Sequence, residues 1–460
     1  MKTILINVFD NAVAKNIFMP EFNAAVANAR NTRCVVVVPQ AKLEEYRHDY
    51  AGLGLEFVAR PQKFASGFET LALFLARNSI PTHSVRQIQE TGLDGSGRLP
   101  FPRYLVARTF WLLGHVYVFR SLLKTVLPLF FDANIFDMLL EEHKPDLVFA
   151  TTVYAVDDIR LLRAAKRRGV PTLGMIKSWD NLTSKDMLLV PPDWLIVHNE
   201  VVKEEVLRLH HYPAERTAVV GVPQFDWYAD PSFPVSREAF FRGLRLDPAK
   251  KLITYTAMGL WLVPHERDII ALLARIIDES KLAVPAQLLV RMHPAYPDEK
   301  LTLQKLFPRA VIDEPGSPVL TSDDVVKADW KFSIDDVRHL ASTLKHSDVT
   351  LNGGSTMILD AACFDTPIIG IAFDGGVEEP SYWRSARCLF EREHCKKVAE
   401  TRGVRVVHTE QELIKALDLY LSNPHEDRVY RAAIVKQQTG TLGHASGRVA
   451  EVMLKSVLRK

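Results

Sequence analysis

The sequence predicts an α/β protein built as two Rossmann-like domains, each an open, doubly wound parallel sheet. Three observations carry this. Short apolar runs rich in Val, Ile and Leu alternate with helical patterns along most of the chain, which is how strands buried on both faces and their crossover helices read. The alternation halts in a proline-punctuated stretch at 230–248 and restarts at Lys251, as at a boundary between domains. The chain of 460 residues is also too long for one ordinary core. The expected organisation is therefore a first domain at 1–229 with a helical insertion near 80–142, a linker at 230–248, a second domain at 249–440 and a closing amphipathic helix at 441–460.

In the first half, strands are expected at 3–9, 34–39 and 55–58. Asp10 follows the first of them, at the carboxyl end where such sheets bind ligands. It reads either as a catalytic base or as the N-cap of a helix over 12–30. Residues 78–102 are rich in Ser, Thr, Gly and charge and read as a surface loop. The stretch 104–131 is mostly apolar but interrupted by Arg108, His115, Arg120 and Lys124. It holds no run of about 18 apolar residues, so a membrane span is not expected. Two readings remain: buried helices, or a helix docked on a bilayer with its cations at headgroup level. Strands at 146–150 and 170–176 flank a helix at 159–168. The polar cluster at 177–184 follows, where Asp180 could deprotonate an acceptor hydroxyl and Trp179 could serve as a platform for a sugar face. An Asx-type turn with a half-buried Trp fits the same residues. Strands at 194–197 and 218–220 close this half.

In the second half, the strand at 251–256 leads to Gly259 at a first βα turn, the usual phosphate-facing position of a mononucleotide-binding half. The strand at 288–292 delivers Arg291 and His293. A histidine there is either a hydrogen-bonded turn residue or a group that stabilises or moves charge beside a phosphate. The densest signal lies at 349–373: a short strand, then Gly353-Gly354-Ser355-Thr356, then a helix and a second apolar strand. Glycines let a backbone approach a ligand closely, and a following helix turns unpaired N–H groups towards it, so a diphosphate suits the turn. Ser355 and Thr356 add hydroxyl donors. Asp360, one helical turn on, is placed to accept from ribose hydroxyls. A plain tight turn with a helix cap fits the same residues.

The run Gly353-Gly354-Ser355-Thr356, Asp360-Ala361-Ala362 and Thr366-Pro367 resembles the donor-nucleotide motif of GT-B glycosyltransferases of surface polysaccharide biosynthesis. It is similar also to hydrolysing UDP-N-acetylglucosamine 2-epimerases and to teichoic-acid glycerophosphotransferases. The resemblance implies that Asp360 is the counterpart of the ribose-binding acid, that the histidine of His293-Pro294 sits at the donor, and that Glu378 and Glu379 contact the sugar. It further implies two domains facing a cleft, donor on the second and acceptor on the first, with the terminal helix crossing back. Aspartate in place of the usual glutamate and Asp365 in place of a glycine are departures from the motif. The resemblance covers about 252–373.

Composition narrows the class. Hydrophobic residues make up 47% and charged ones 24%, the balance of a folded globular chain, and a net charge of +2 gives no reason to expect nucleic acid as a partner. Four cysteines without a CxxC pair and no export leader point to a cytoplasmic protein, peripheral at the inner face of a membrane if 104–131 docks there. His394 and Cys395 are adjacent but lack a second pair at ligand spacing, so no metal is expected. The expected activity is transfer of a sugar from a nucleotide-diphosphate donor, UDP or CDP type, to a hydroxyl of a saccharide or lipid-linked acceptor, with no obligatory cofactor. The alternatives are a CDP-polyol phosphotransferase, a nucleotide-sugar epimerase, and a non-catalytic nucleotide-sugar-binding protein. The epimerases' N-terminal Gly-Thr-Arg-Pro-Glu sequence is absent, which weighs against the epimerase.

Overall fold

The computed structural model describes residues 1–9, 13–14, 17–92, 99–185, 187–260, 262–293, 299–319, 329–331, 333–377 and 381–458. Asp10, Glu378 and Glu379 lie outside them, as does Pro294. The chain forms two compact units, Met1–Arg86 with Pro100–Asp226 and Gly440–Lys460, and Gln87–Leu99 with Trp227–Thr439.

Unit 1 is a sheet of seven strands: β1 (Lys2–Asn7), β2 (Thr32–Val38), β3 (Leu55–Ala59), β4 (Leu147–Ala150), β5 (Thr172–Met175), β6 (Trp194–Val197) and β7 (Thr217–Val219). All pair in parallel, in the order β3-β2-β1-β4-β5-β6-β7. Helices cover both faces, which is why β2 and β4 read as unbroken apolar runs and not as an alternation. The C-terminal helix Ala445–Leu458 belongs to this unit. Its first amides, on Ala445 and Ser446, donate to Asp226 at 2.9 and 2.8 Å, and Val449, Ala450 and Met453 share a core with Phe22 and Val26.

Two sequence expectations fail here for physical reasons, and at 104–131 the structure bears on two open readings. The supposed loop at 78–102 contains the helix His83–Thr91, in which Val85, Gln87 and Gln89 are buried. Its polar side chains, which made it read as a loop, have partners inside the protein: Gln87 donates to the Trp383 carbonyl and accepts from Arg392. The supposed linker carries the helix Arg237–Leu244, started by the Ser236 hydroxyl, with Phe240 and Phe241 packed on Leu252 and Leu289 in unit 2. The stretch 104–131 becomes two helices, Phe101–Leu113 and Tyr117–Val126, followed by a 3₁₀ turn, Leu127–Phe130. Arg120 and Lys124, which the bilayer-docked reading puts at headgroup level, point inward. Arg120 bonds the Gly114 carbonyl and His211, and Lys124 donates to the His210 carbonyl, its pKa pulled down to about 8 by burial and by Arg120.

Unit 2 is a sheet of six strands: β8 (Lys251–Thr256), β9 (Ala286–Arg291), β10 (Val311–Asp313), β13 (Val349–Asn352), β14 (Ile368–Ile371) and β15 (Arg405–Val407). All pair in parallel, in the order β10-β9-β8-β13-β14-β15. A small antiparallel pair, β11 (Ser317–Val319) and β12 (Asp329–Lys331), stands apart from it. Both large sheets thus reverse their order beside their own first strand, between β1 and β4 and between β8 and β13. Crossovers leave that point towards opposite faces, opening a crevice at the carboxyl ends, and that is where ligands bind in open α/β sheets.

Candidate functional site

In unit 2 the reversal is flanked by the two turns singled out in the sequence. β8 runs into Ala257–Gly259 and β13 into Gly353–Thr356. Because β8 is hydrogen-bonded to both β13 and β9, its turn lies between the glycine turn and the one carrying His293. Two strand spacings put the outer turns roughly 10 Å apart, about the reach of a nucleoside diphosphate. The turns after β8 and β13 touch: a Cβ on Gly353 would stand 3.2 Å from the Met258 sulfur.

Gly354 is needed for its backbone, at φ +105°. A Cβ on it would face Cys395 Sγ at 3.4 Å and Leu389 at 3.5 Å, so this side of the turn looks onto protein and not onto a ligand. Cys395, paired in the sequence with His394 as a faint metal signal, instead donates its thiol to the Gly354 carbonyl at 3.3 Å. The turn is held from within by Asn352, a residue the sequence reading passed over. Its side-chain oxygen accepts from Gly354 N at 2.9 Å and from Ser355 N at 3.3 Å. Its buried Nδ2 has no hydrogen-bond partner among the described residues. The helix behind the turn, Met357–Cys363, is only two turns long, so its dipole is weaker than the sequence reading assumed. Ser355 and Thr356 are half-buried, and Ser355 Oγ accepts from Met357 N at 3.2 Å. Asp360 is buried and accepts from the Tyr228 hydroxyl at 2.7 Å, a second partner missed in the sequence.

The β8 turn has an internal acceptor of the same kind. Glu266 takes Met258 N at 2.6 Å and Gly259 N at 2.9 Å, with the Tyr255 hydroxyl at 3.2 Å. Burial outweighs these bonds and pushes its carboxyl up to about 7. From sequence alone an acid in the first turn of a helix reads as solvated, which hides this role. Gly259, at φ +89°, lines a small pocket of about 20 Å³ with Glu266, Arg267, Met292, His293 and Glu299. Burial pulls His293 below the ordinary 6.5, which favours the neutral imidazole, a base or single donor, over the imidazolium.

Arg291 does not join them. It is buried in an ion pair with Asp313, its register partner across β9 and β10, and Asp313 also accepts from His339 at 2.9 Å. Burial alone would raise Asp313; the Arg291 charge and the His339 bond overcome this and hold it below the usual carboxylate range. The guanidinium expected to meet a phosphate is therefore already neutralised. The larger hollow of unit 2, about 870 Å³ beside Pro285, Phe307 and Arg309, opens at the amino ends of the strands, away from all these groups.

In unit 1 Trp179 is only 6% exposed and presents no free face for a sugar. Asp180 follows β5 at the start of a one-turn helix, accepts from Asn181 at 3.3 Å and lies 3.6 Å from Lys185. At this sheet's own reversal, Asn7 donates to Asp158 at 2.7 Å while its oxygen accepts from Thr151 N at 2.6 Å. Burial pushes Asp158 up to about 7. From sequence alone Asp158, in the first turn of the helix Val156–Arg167, reads as a cap.

No protein-family model matches the chain, and no curated protein matches it by sequence. Its structure is similar to that of S. aureus MnaA in complex with UDP, with TM-score 0.56 and 15% identity over 100% of this chain and 99% of that one. UDP-GlcNAc 2-epimerase from Neisseria meningitidis bound to UDP-GlcNAc gives TM-score 0.57 and 11% identity over 99% and 100% of the two chains. A glycosyltransferase from Rickettsia africae gives 0.53 and 11% over 100% and 99%. At such identities the likeness is one of fold. Two parallel α/β sheets, reversed at their first strands, with the terminal helix returned to the first unit, define the GT-B fold, and this chain has it.

Proposed function

We propose that unit 2 binds a nucleotide-diphosphate sugar and that the chain transfers the sugar to a hydroxyl acceptor, in the cytoplasm, in the assembly of a surface glycan. The observation that carries this is the adjacency of three turns at one sheet end: Gly353–Thr356 after β13, Ala257–Gly259 after β8, and His293 after β9. The diphosphate lies over the two glycine turns, with the Ser355 and Thr356 hydroxyls as donors and Asp360 towards the ribose. His293, neutral, donates to or takes a proton at the departing or attacking oxygen. Asp180, and Asp10 outside the described residues, are the candidates for activating the acceptor. Solved structures of similar fold include proteins described as bound to UDP or UDP-GlcNAc, which supports a UDP donor.

An epimerase is the second reading, because one of these structures is described as a UDP-GlcNAc 2-epimerase. Isothermal calorimetry against UDP, CDP, GDP and CMP identifies the base. ¹H and ³¹P NMR of the matching nucleotide sugar, with and without a saccharide acceptor, then separates transfer from C2 inversion. Failure of all four nucleotides to bind overturns the donor site, and binding with an unchanged sugar under every acceptor leaves a binding protein.

A further inference from the structure

The helices of 101–130 bury one apolar side, with Leu123 and Leu127 in the core and Phe110, Trp111 and Phe119 packed against it, and expose a second. On Tyr117–Val126 the two cations, Arg120 and Lys124, lie inward on His211 and His210, while Val118 and Leu122 on the outer face are 71% and 56% exposed. On Phe101–Leu113 the small Ala107 is buried, and Phe101, Leu105 and Leu112 face out at 71%, 49% and 60%. Spacings of three and four residues keep each set on one side of its helix. The surface continues across Leu129 and Phe130, and Phe130 stacks on the exposed Phe68 of the helix Gly67–Asn78 with ring centroids 6.1 Å apart. A helix whose outer face meets water exposes its charges there and not a second apolar stripe. Exposed apolar area on this scale marks a binding face.

Two occupants compete, a second copy of the chain and a lipid surface, and charge separates them. Between residues 99 and 131 there is no Asp or Glu, while Arg103, Arg108 and His115 are all on the outer or half-buried side. A two-fold interface would set this patch against itself, cation against cation with no acid to pair. An anionic headgroup layer supplies the missing charge, and acyl chains supply the apolar partner. No single described helix is long and apolar enough to cross a bilayer; the two helices reach that composition only together, across a bend of 119°. Such a bend suits a pair lying in the interface plane. We infer that this face of unit 1 inserts into the headgroup–acyl boundary of a phospholipid bilayer, held chiefly by apolar side chains and only secondarily by cations.

The inference stands apart from the donor-site reading. Flotation of the full chain with phosphatidylcholine vesicles, and with vesicles containing 30% phosphatidylglycerol in the preparation as about a third anionic lipid, tests it at low and high salt. Expected are binding to both, a several-fold preference for the anionic vesicles at low salt, and retention of most binding at high salt. Leu112→Glu with Val118→Glu should lower the partition about tenfold or more, with an unchanged melting temperature and unchanged nucleotide affinity. Leu122→Glu alone, if the double variant melts early, should give the same loss. No vesicle binding at low salt overturns the inference, as does binding that salt abolishes. A concentration-dependent dimer by sedimentation velocity that the same substitutions dissolve also overturns it and assigns the face to a second copy.

Discussion

Replacing Glu266 with Gln tests the β8 turn through pH. The carboxyl titrates at about 7 in the folded chain against an ordinary 4.5. Below 4.5 both states hold the proton and the group contributes nothing to the pH dependence. Between 4.5 and 7 the folded state keeps a proton that the unfolded state has lost, so stability falls by about 1.4 kcal/mol per pH unit. Above 7 both are ionised and the deficit is constant. Integrated from pH 5 to 8 this gives about 2 to 3 kcal/mol. Asp158, raised to about 7 in the same sense, contributes its own fall to wild type and variant alike, so the difference between the two curves isolates Glu266. Glutamine keeps one acceptor, but its amide nitrogen then faces a backbone N–H, costing about 1 to 3 kcal/mol at every pH. Urea unfolding from pH 5 to 8 should therefore show the variant clearly weaker at pH 5 and the gap shrinking by about 2 to 3 kcal/mol by pH 8. Parallel curves would refute the reasoning.

Substituting His293 with Ala should lower kcat about a hundredfold and change donor affinity less, measured with the nucleotide sugar identified by calorimetry; turnover within a few-fold of wild type makes the histidine structural. Tyr228→Phe removes the hydroxyl that Asp360 accepts and should cost about 1 to 3 kcal/mol in urea unfolding. An unchanged midpoint would mean that the carboxylate is held elsewhere. Asn352→Asp keeps the oxygen that holds Gly354 N and Ser355 N but replaces the unpartnered amide with a second oxygen, and charge, beside the proposed diphosphate. Nucleotide affinity should drop at least tenfold with the fold retained, and equal affinity by calorimetry rejects a role for Nδ2.

The fold was legible because parallel strands buried on both faces leave an unmistakable trace: the expected strands at 194–197 and 251–256 match β6 and β8 to the residue. β10, Val311–Asp313, escaped because its short run ends in a buried Asp, a residue that reads as turn or loop. The helix His83–Thr91 escaped because its Gln residues are buried through hydrogen bonds and not through apolar area. At the site, residue types and spacing located the turns but not their internal partners. Asn352, Glu266 and Tyr228 act on neighbours 2, 8 and 132 residues away, and only the last lies beyond local sequence. Even the near two were hidden, since an Asn after a strand and a Glu in a first turn have common solvated readings. Arg291 illustrates the reverse error: its charge was visible and its neutralising partner, 22 residues on, was not.

These internal partners decide how an anion could be received. Four amides that a diphosphate would otherwise meet are already bonded, Gly354 N and Ser355 N to Asn352, Met258 N and Gly259 N to Glu266. The two holders differ in kind. Asn352 is neutral and keeps the turn shaped whether or not a ligand is present. Glu266 carries a charge that repels a phosphate when ionised, yet its proton is exchanged near neutrality because burial disfavours the anion. An arriving diphosphate adds negative charge beside it and pushes its pKa further up, so binding should take up a proton around pH 7. Donor affinity should then fall as pH rises through 7. In Glu266→Gln that fall should disappear.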